Sequence, residues 1–514
     1  MTTVALNSSK GKWVMVVTIM ASSMAFIDRT ALNVALPSLQ KNLNATGAEL
    51  FWILNAYLLM LASLMLIGGS LGDKIGRKRI FMTGIFIFII GSALCGISQT
   101  VEALIIFRLI QGIGGALMIP GSLSLISSSI NDNERGKAIG TWSAVTTLVT
   151  VGGPILGGAF ADAGLWRYIF FINAPIGILA LVILGIKVQE IKDTDSDKSI
   201  DFKGAFAIAL GLAAFTFGFL RMPAKGIANW QVYDSLLGGI VLLILFVFIE
   251  KRSKYPMMPL SIFRNMNFSG TNLLTLFLYA GLGGGMLFLS LNLVQAQGYS
   301  QFQSGLTLLP FTFLMIVFSR LTGRLSDKYG ARIFLIIGPS IAGIGMLLLA
   351  FIKQAHGASD YFSTYFPGVL VFGFGMAVTV VPLTNIVMSS VNSNLSGTAS
   401  GINNAVSQIS GVFANAIFGA MAVIFFSGDL QKHLDTTNIS AREKQLVMSQ
   451  AVNLGDAKVP QEIPDLNKGE IQQDYHESFI ASYQKIMIFS SVLCFIGTIM
   501  SVLFIRKRAV FQPR

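Results

Sequence analysis

Asp28 is the residue whose position carries the most chemistry. It lies in Ile27-Asp28-Arg29-Thr30-Ala31-Leu32-Asn33, inside an apolar window at 13–36, and is the only acidic residue at the centre of any such window in the chain. An ionised carboxyl in hydrocarbon is costly, so it must carry a proton or be held by a cation. Arg108, in Arg108-Leu109-Ile110-Gln111-Gly112, lies at a similar depth in its own window. A mid-membrane charge costs at least ~2.5 kcal/mol, so Arg108 is expected to face a cavity or a partner and not lipid. Burial favours a protonated carboxyl and a neighbouring arginine favours the ionised one, and a group balanced between the two can load and release a proton. Two roles stay open for Asp28: a proton carrier tuned by Arg108, or one half of a static ion pair that holds the first helix. Arg29 follows Asp28 by one residue, about 100° round a helix, and should point elsewhere.

Other chemistries find no support. Cys95 and Cys494 fall inside apolar stretches, and His356, His433 and His476 lie between or beside them. No metal-ligand spacing, nucleophile arrangement or nucleotide-binding loop occurs, so neither an enzyme nor a cofactor is expected. The formal net charge of +12 would suggest nucleic acid in a soluble protein. Here 53% of residues are hydrophobic and 12% charged, half the charge a soluble domain carries, so the expected partner is a lipid bilayer and not nucleic acid.

The elements that must position these residues are helices. Apolar windows recur at 13–36, 50–71, 80–98, 101–124, 138–161, 168–187, 204–222, 233–250, 269–293, 304–322, 332–353, 365–388, 397–426 and 479–505, each near the roughly 20 residues a bilayer core requires. The chain therefore reads as an all-α polytopic membrane protein with 14 transmembrane helices. With the N-terminus inside, the inner loops and tails hold 23 Lys and Arg and the short outer loops 5, which predicts that both termini are cytoplasmic in a cell (inner) membrane. The organisation expected is a six-helix bundle over 1–187, a charged linker at 188–203, two inserted helices within 204–250, a second linker at 251–268, a six-helix bundle over 269–505 and a tail at 506–514. The polar segment 427–478 is a long extracytoplasmic loop with room for a short helix or two. The inserted pair should sit peripherally and leave the substrate path unlined.

Two glycine-flanked turns repeat. Gly69-Ser70-Leu71-Gly72-Asp73-Lys74-Ile75-Gly76-Arg77 follows the second window, and Gly323-Arg324-Leu325-Ser326-Asp327-Lys328-Tyr329-Gly330 follows the tenth. Glycines let helices approach closely, and an internal repeat is expected of a transporter built from two related halves. The offset of eight helices equals six plus the inserted two. A further glycine cluster, Gly152-Gly153-Pro154-Ile155-Leu156-Gly157-Gly158, frees the fifth helix to bend and pack tightly. Amides take the place of acids elsewhere: Asn33, Gln111, Asn292, Gln295, Asn385, Asn404 and Gln408 either line a polar cavity or join helices.

The turn at 69–77 resembles the signature loop of the major facilitator superfamily. Asp28-Arg29-Thr30 through Pro37, with Trp166-Arg167-Tyr168 through Pro175, resembles the fourteen-helix drug:proton antiporter family (EmrB/QacA type). The resemblance implies a major facilitator fold of two six-helix bundles plus the inserted pair. It assigns Asp28 and Arg108 to proton coupling, Gly69, Asp73, Gly76, Arg77 and Asp327 to gating, and Gly153, Pro154, Gly157 and Gly158 to the antiporter motif. It implies export of small amphipathic drugs or toxic compounds against proton entry; some relatives add a periplasmic adaptor. Two departures stand out: the cation Arg29 at the variable position, and no acid in the later helices. Multiply charged cationic drugs are thereby less well supported, and a dedicated exporter of one endogenous metabolite, such as a siderophore or fatty acid, stays open beside a non-transporting membrane sensor.

Overall fold

The computed structural model describes residues 4–506 apart from 191–200, 255, 257, 356, 392–395 and 438; several further helical residues, among them Gly69, Asp73 and Asp327, are described in backbone only. All the named elements are helical. The first half comprises α1 (Ser9–Leu43), α2 (Gly47–Ile75), α3 (Arg77–Ile97), α4 (Val101–Ser129), α5 (Asp132–Asp162), the short α6 (Tyr168–Phe171) and α7 (Asn173–Lys187). Next come α8 (Phe202–Lys225) and α9 (Trp230–Arg252). The second half comprises α10 (Met266–Gln295), the short α11 (Gln301–Leu306), α12 (Leu309–Tyr329), α13 (Ala331–Ala350), α14 (Tyr365–Ser389), α15 (Ser396–Thr436), α16 (Ala441–Ser449) and α17 (Asp465–Phe504). Thirteen candidate spans among the described residues are long and apolar enough to cross a membrane; within α5 the apolar stretch Leu148–Asp162 is shorter. Helices suit this solvent because each satisfies its own backbone polar groups away from water.

Short connections alternate helix direction, so the bundle has a terminal end, where α1 begins and α17 stops, and an opposite loop end. The turn between α2 and α3 passes through Gly76 at φ +130°, and that between α12 and α13 through Gly330 at φ +87°. Both values lie where only glycine is at ease, so the two sequence repeats make the same backbone break. At the first, Glu190 accepts from the backbone N–H of Lys78 and Arg79 at 3.0 and 3.1 Å, supplying a carboxylate to the N-terminus of α3. Arg77 donates to the Ser124 carbonyl of α4 at 3.2 Å.

Two features go beyond the expected organisation. α15 and α17 run well beyond the apolar windows, so much of 427–478 is helical extension of the bundle. The remainder, with α16, folds back over the loop end: Gln40 of α1 donates to the Asn453 carbonyl at 3.1 Å, and Leu454, at φ +54°, is buried beside Gly47. Burial raises the Asp456 carboxyl from its ordinary value, with Lys458 and Lys41 opposing. The second feature is α8. The pair α8–α9 does lie outside the bundle, and α9 exposes Leu237, Val241 and Ile244. Yet α8 packs on both α2 and α15, one from each half. Phe217 meets Trp52 at 6.4 Å and Phe215 meets Phe413 at 4.7 Å between ring centroids, so α8 covers the seam.

Candidate transport site

Asp28 is fully buried where α1, α2 and α4 meet. One carboxylate oxygen pairs with the Arg108 guanidinium, and the other accepts from Gln111 Nε2 at 2.8 Å. Arg108 also donates to Gln111 Oε1 at 2.7 Å and to the Ile53 carbonyl at 3.4 Å, and its guanidinium lies 4.4 Å from the Tyr57 ring centroid. Arg108 and Gln111 sit three residues apart on one face of α4, so both reach the same carboxylate. Asp28, Arg108 and Gln111 thus close on one another out of reach of solvent, and the Asp28–Arg108 charge pair joins α1 to α4.

Arg29 turns away as its offset requires. It donates to Gln408 of α15 at 3.0 Å, across the seam. A small cavity of about 30 Å³ lies beside it, lined by Arg29, Asn33, Tyr57, Arg108, Asn415 and several leucines and glycines. Among the expected cavity amides the structure therefore places Asn33 in the wall and Gln408 on Arg29. The others do not line this cavity, and Asn292 and Gln295 take the alternative use, joining helices. Gln111 is spent on Asp28 and Arg108. Asn292 is buried within the second half and donates to the Tyr365 hydroxyl at 2.8 Å. Gln295 donates to Gln40 at 2.9 Å, joining the halves at the loop end. Asn385 and Asn404 are exposed towards the terminal end of α14 and α15. Gln111, Asn292 and Gln295 are drawn off by partners that spacing does not reveal: an ion pair, a hydroxyl and a facing amide. Asn415, another amide of the later helices, also stands in the wall, and Tyr57 is a polar wall residue that the sequence did not single out. Tyr57 sits at the depth of Asp28 in an otherwise apolar run, which was the available signal.

The glycine cluster of α5 has a definite use. A Cβ at Gly153 or Gly157 would collide with Thr30 or with the backbone at Ala31 of α1, and one at Gly158 with the backbone of Gln301 on α11. Gly305 of α11 returns the fit, since its Cβ would stand 2.5 Å from the Pro154 carbonyl oxygen. α5 therefore touches the Asp28 helix on one side and the opposite half on the other. Around this point the loop end is knitted shut: Asp162 accepts from the backbone N–H of Gln301 and Phe302, each at 2.8 Å, and Ser38 bonds Gln301. Hydrogen bonds join the halves at the level of Arg29 and nearer the loop end. The gating positions Gly69, Asp73 and Asp327 fall on side chains or contacts outside the described residues.

This architecture has known counterparts. Residues 18–415 match the model of the Major Facilitator Superfamily. The tetracenomycin C resistance and export protein of Streptomyces glaucescens is 29% identical over 462 residues, spanning 89% of this chain and 85% of that protein. Multidrug resistance protein Stp of Mycobacterium tuberculosis is 30% identical over 413 residues, or 80% and 76% of the two chains. Among solved structures, a bacterial homologue of the human lysosomal transporter Spinster superposes with a TM-score of 0.68 at 18% identity, covering 96% of this chain and 98% of that one. The match over most of its length, on a two-half helical bundle closed around a buried carboxylate, shows that this chain belongs to the Major Facilitator Superfamily.

Proposed function

We propose that the protein is a proton-coupled secondary antiporter that exports small amphipathic compounds by alternating access, with fourteen transmembrane helices and both termini cytoplasmic in the cell membrane. The observation that carries this reading is the closed set Asp28–Arg108–Gln111, one residue away from a cavity wall on the helix whose Thr30 and Ala31 pack against the α5 glycines. Protonating Asp28 removes the counter-charge of Arg108 and loosens the α1–α4 contact, while α5 relays movement of α1 to the opposite half. With the loop end outside, the closed contacts at Ser38, Gln40, Asp162 and Gln301 correspond to an inward-facing state. The names of the relatives, export and resistance proteins, point the same way. Gly76, Arg77 and the repeated turn at Asp327 are assigned to the gate on the basis of the shared backbone break.

The test is a pH-gradient-driven transport assay in proteoliposomes with wild type and Asp28→Asn. Asp28→Asn is expected to abolish uphill transport while leaving folded protein and substrate binding. Uphill transport by Asp28→Asn would sink the proton assignment.

A further inference from the structure

Arg29 and Arg108 both reach the cavity, but they are not in the same electrostatic position. Arg108 is matched by Asp28, whose two oxygens are both taken, one by Arg108 and the other by Gln111. Arg29 has no carboxylate partner among the described residues; its hydrogen bond goes to the neutral amide of Gln408. A guanidinium held at this depth without a counter-charge is expensive, and the expense is relieved only by an anion or by movement to water. The rest of the wall is supplied with donors. Tyr57 is buried in the wall, and its hydroxyl has no hydrogen-bond partner among the described residues. Asn33 and Asn415 add amides, and Leu54, Leu58 and Leu287 supply apolar surface. The Gly411 position leaves the Arg29 side chain open to the cavity, since even a Cβ there would lie 3.8 Å from Arg29 Nη2.

We propose that the cavity takes its substrate as an anion, an amphipathic organic acid whose carboxylate or acidic phenolate pairs with Arg29 while its apolar body lies on the leucines. This rests on the export reading and names its substrate class. Guanidinium and carboxylate match as planar, two-pronged partners, which a lysine reproduces only as a point charge. A cationic amphiphile would meet an unmatched positive wall and no free carboxylate. The substrate anion displaces the weak Gln408 contact, so that loading also releases a bond between α1 and α15 across the seam.

The experiment uses purified full-length protein in phosphatidylcholine nanodiscs and one dansyl-undecyl body carrying a carboxylate, a methyl ester or a trimethylammonium head. Partition into empty nanodiscs is subtracted. The carboxylate is expected to bind about tenfold more tightly than the ester, or about 1.4 kcal/mol, and the trimethylammonium probe more weakly than either. Arg29→Gln should bring the carboxylate to the affinity of the ester, and Arg29→Lys should keep part of the preference. Trimethylammonium binding as tight as carboxylate binding in wild type, or an unchanged preference in Arg29→Gln, would overturn the proposal. Proton-driven transport of the same carboxylate probe is measured separately in liposomes. Loss of proton coupling with the charge preference intact defeats the antiport reading and spares this one.

Discussion

At the scale of single residues, the site divides two adjacent side chains between two tasks. Asp28 faces inward to Arg108 and Gln111, and Arg29 faces the cavity and Gln408. The helical offset alone separates them. Gly157 is the residue that lets this piece of α1 lie against α5, because any Cβ there collides with Ala31. Gly157→Leu is therefore expected to insert and fold, since the change adds apolar surface in a membrane helix, but to push α1 from α5. The expected result is a loss of transport of tenfold or more with the purified protein still monodisperse. Wild-type transport by Gly157→Leu would show that the α1–α5 contact is not used in the cycle. The carboxylate and its arginine were legible in the sequence because a charge within a membrane helix breaks a strong rule, and the glycines through their spacing around Pro154. The amides were not, because an amide satisfies itself as well on a tyrosine, as Asn292 does, as on a ligand.

At the scale of elements, α8 has a place that hydropathy did not disclose. A window without charges says that a helix contacts lipid, and says nothing of what its other face covers. Here that face holds Phe215 against Phe413 of the second half and Phe217 against Trp52 of the first. The windows at 204–222 and 233–250 fall within α8 and α9, and α8's role at the seam was hidden because it depends on α2 and α15, far away in sequence. A helix fixed to both halves must slide on one of them when the halves rock. An aromatic pair of this kind couples by about 0.5–1.5 kcal/mol. A double-mutant cycle on Phe215→Ala and Phe413→Ala, read by thermal unfolding in detergent, should show coupling in that range. Additive effects within about 0.3 kcal/mol would mean that the rings touch without holding the seam. The extension of α15 and α17 past their apolar windows has a similar explanation: their polar turns are paid for by packing under the 437–464 segment, a long-range contact that local composition does not encode.

At the scale of the whole molecule, the direction and charge of the cargo set the energy available to the cycle. With one proton entering through Asp28 and one monoanion leaving past Arg29, each turnover moves the equivalent of two positive charges inward. A neutral substrate moves one and a monocation none. Each charge gains roughly 2.3 kcal/mol per 100 mV of membrane potential, so an anion exporter draws about twice the electrical drive of a neutral one, and a monocation exporter depends on the pH gradient alone. The single intramembrane acid makes one proton per cycle the natural count, since no second carboxyl occupies the centre of any apolar window. The prediction is tested in proteoliposomes with the potential imposed by a potassium gradient and valinomycin, and no pH difference. Transport of the dansyl-undecyl carboxylate should accelerate as the potential is raised, and the currents recorded on a solid-supported membrane should correspond to two charges for each probe molecule moved. With the methyl ester the ratio should fall to one. A carboxylate ratio of one would mean that the acid crosses in its neutral form, bringing its own proton, and that Arg29 reads the head group only before the membrane step. A ratio of zero would mean that the proton and the anion leave together, which is incompatible with antiport through Asp28.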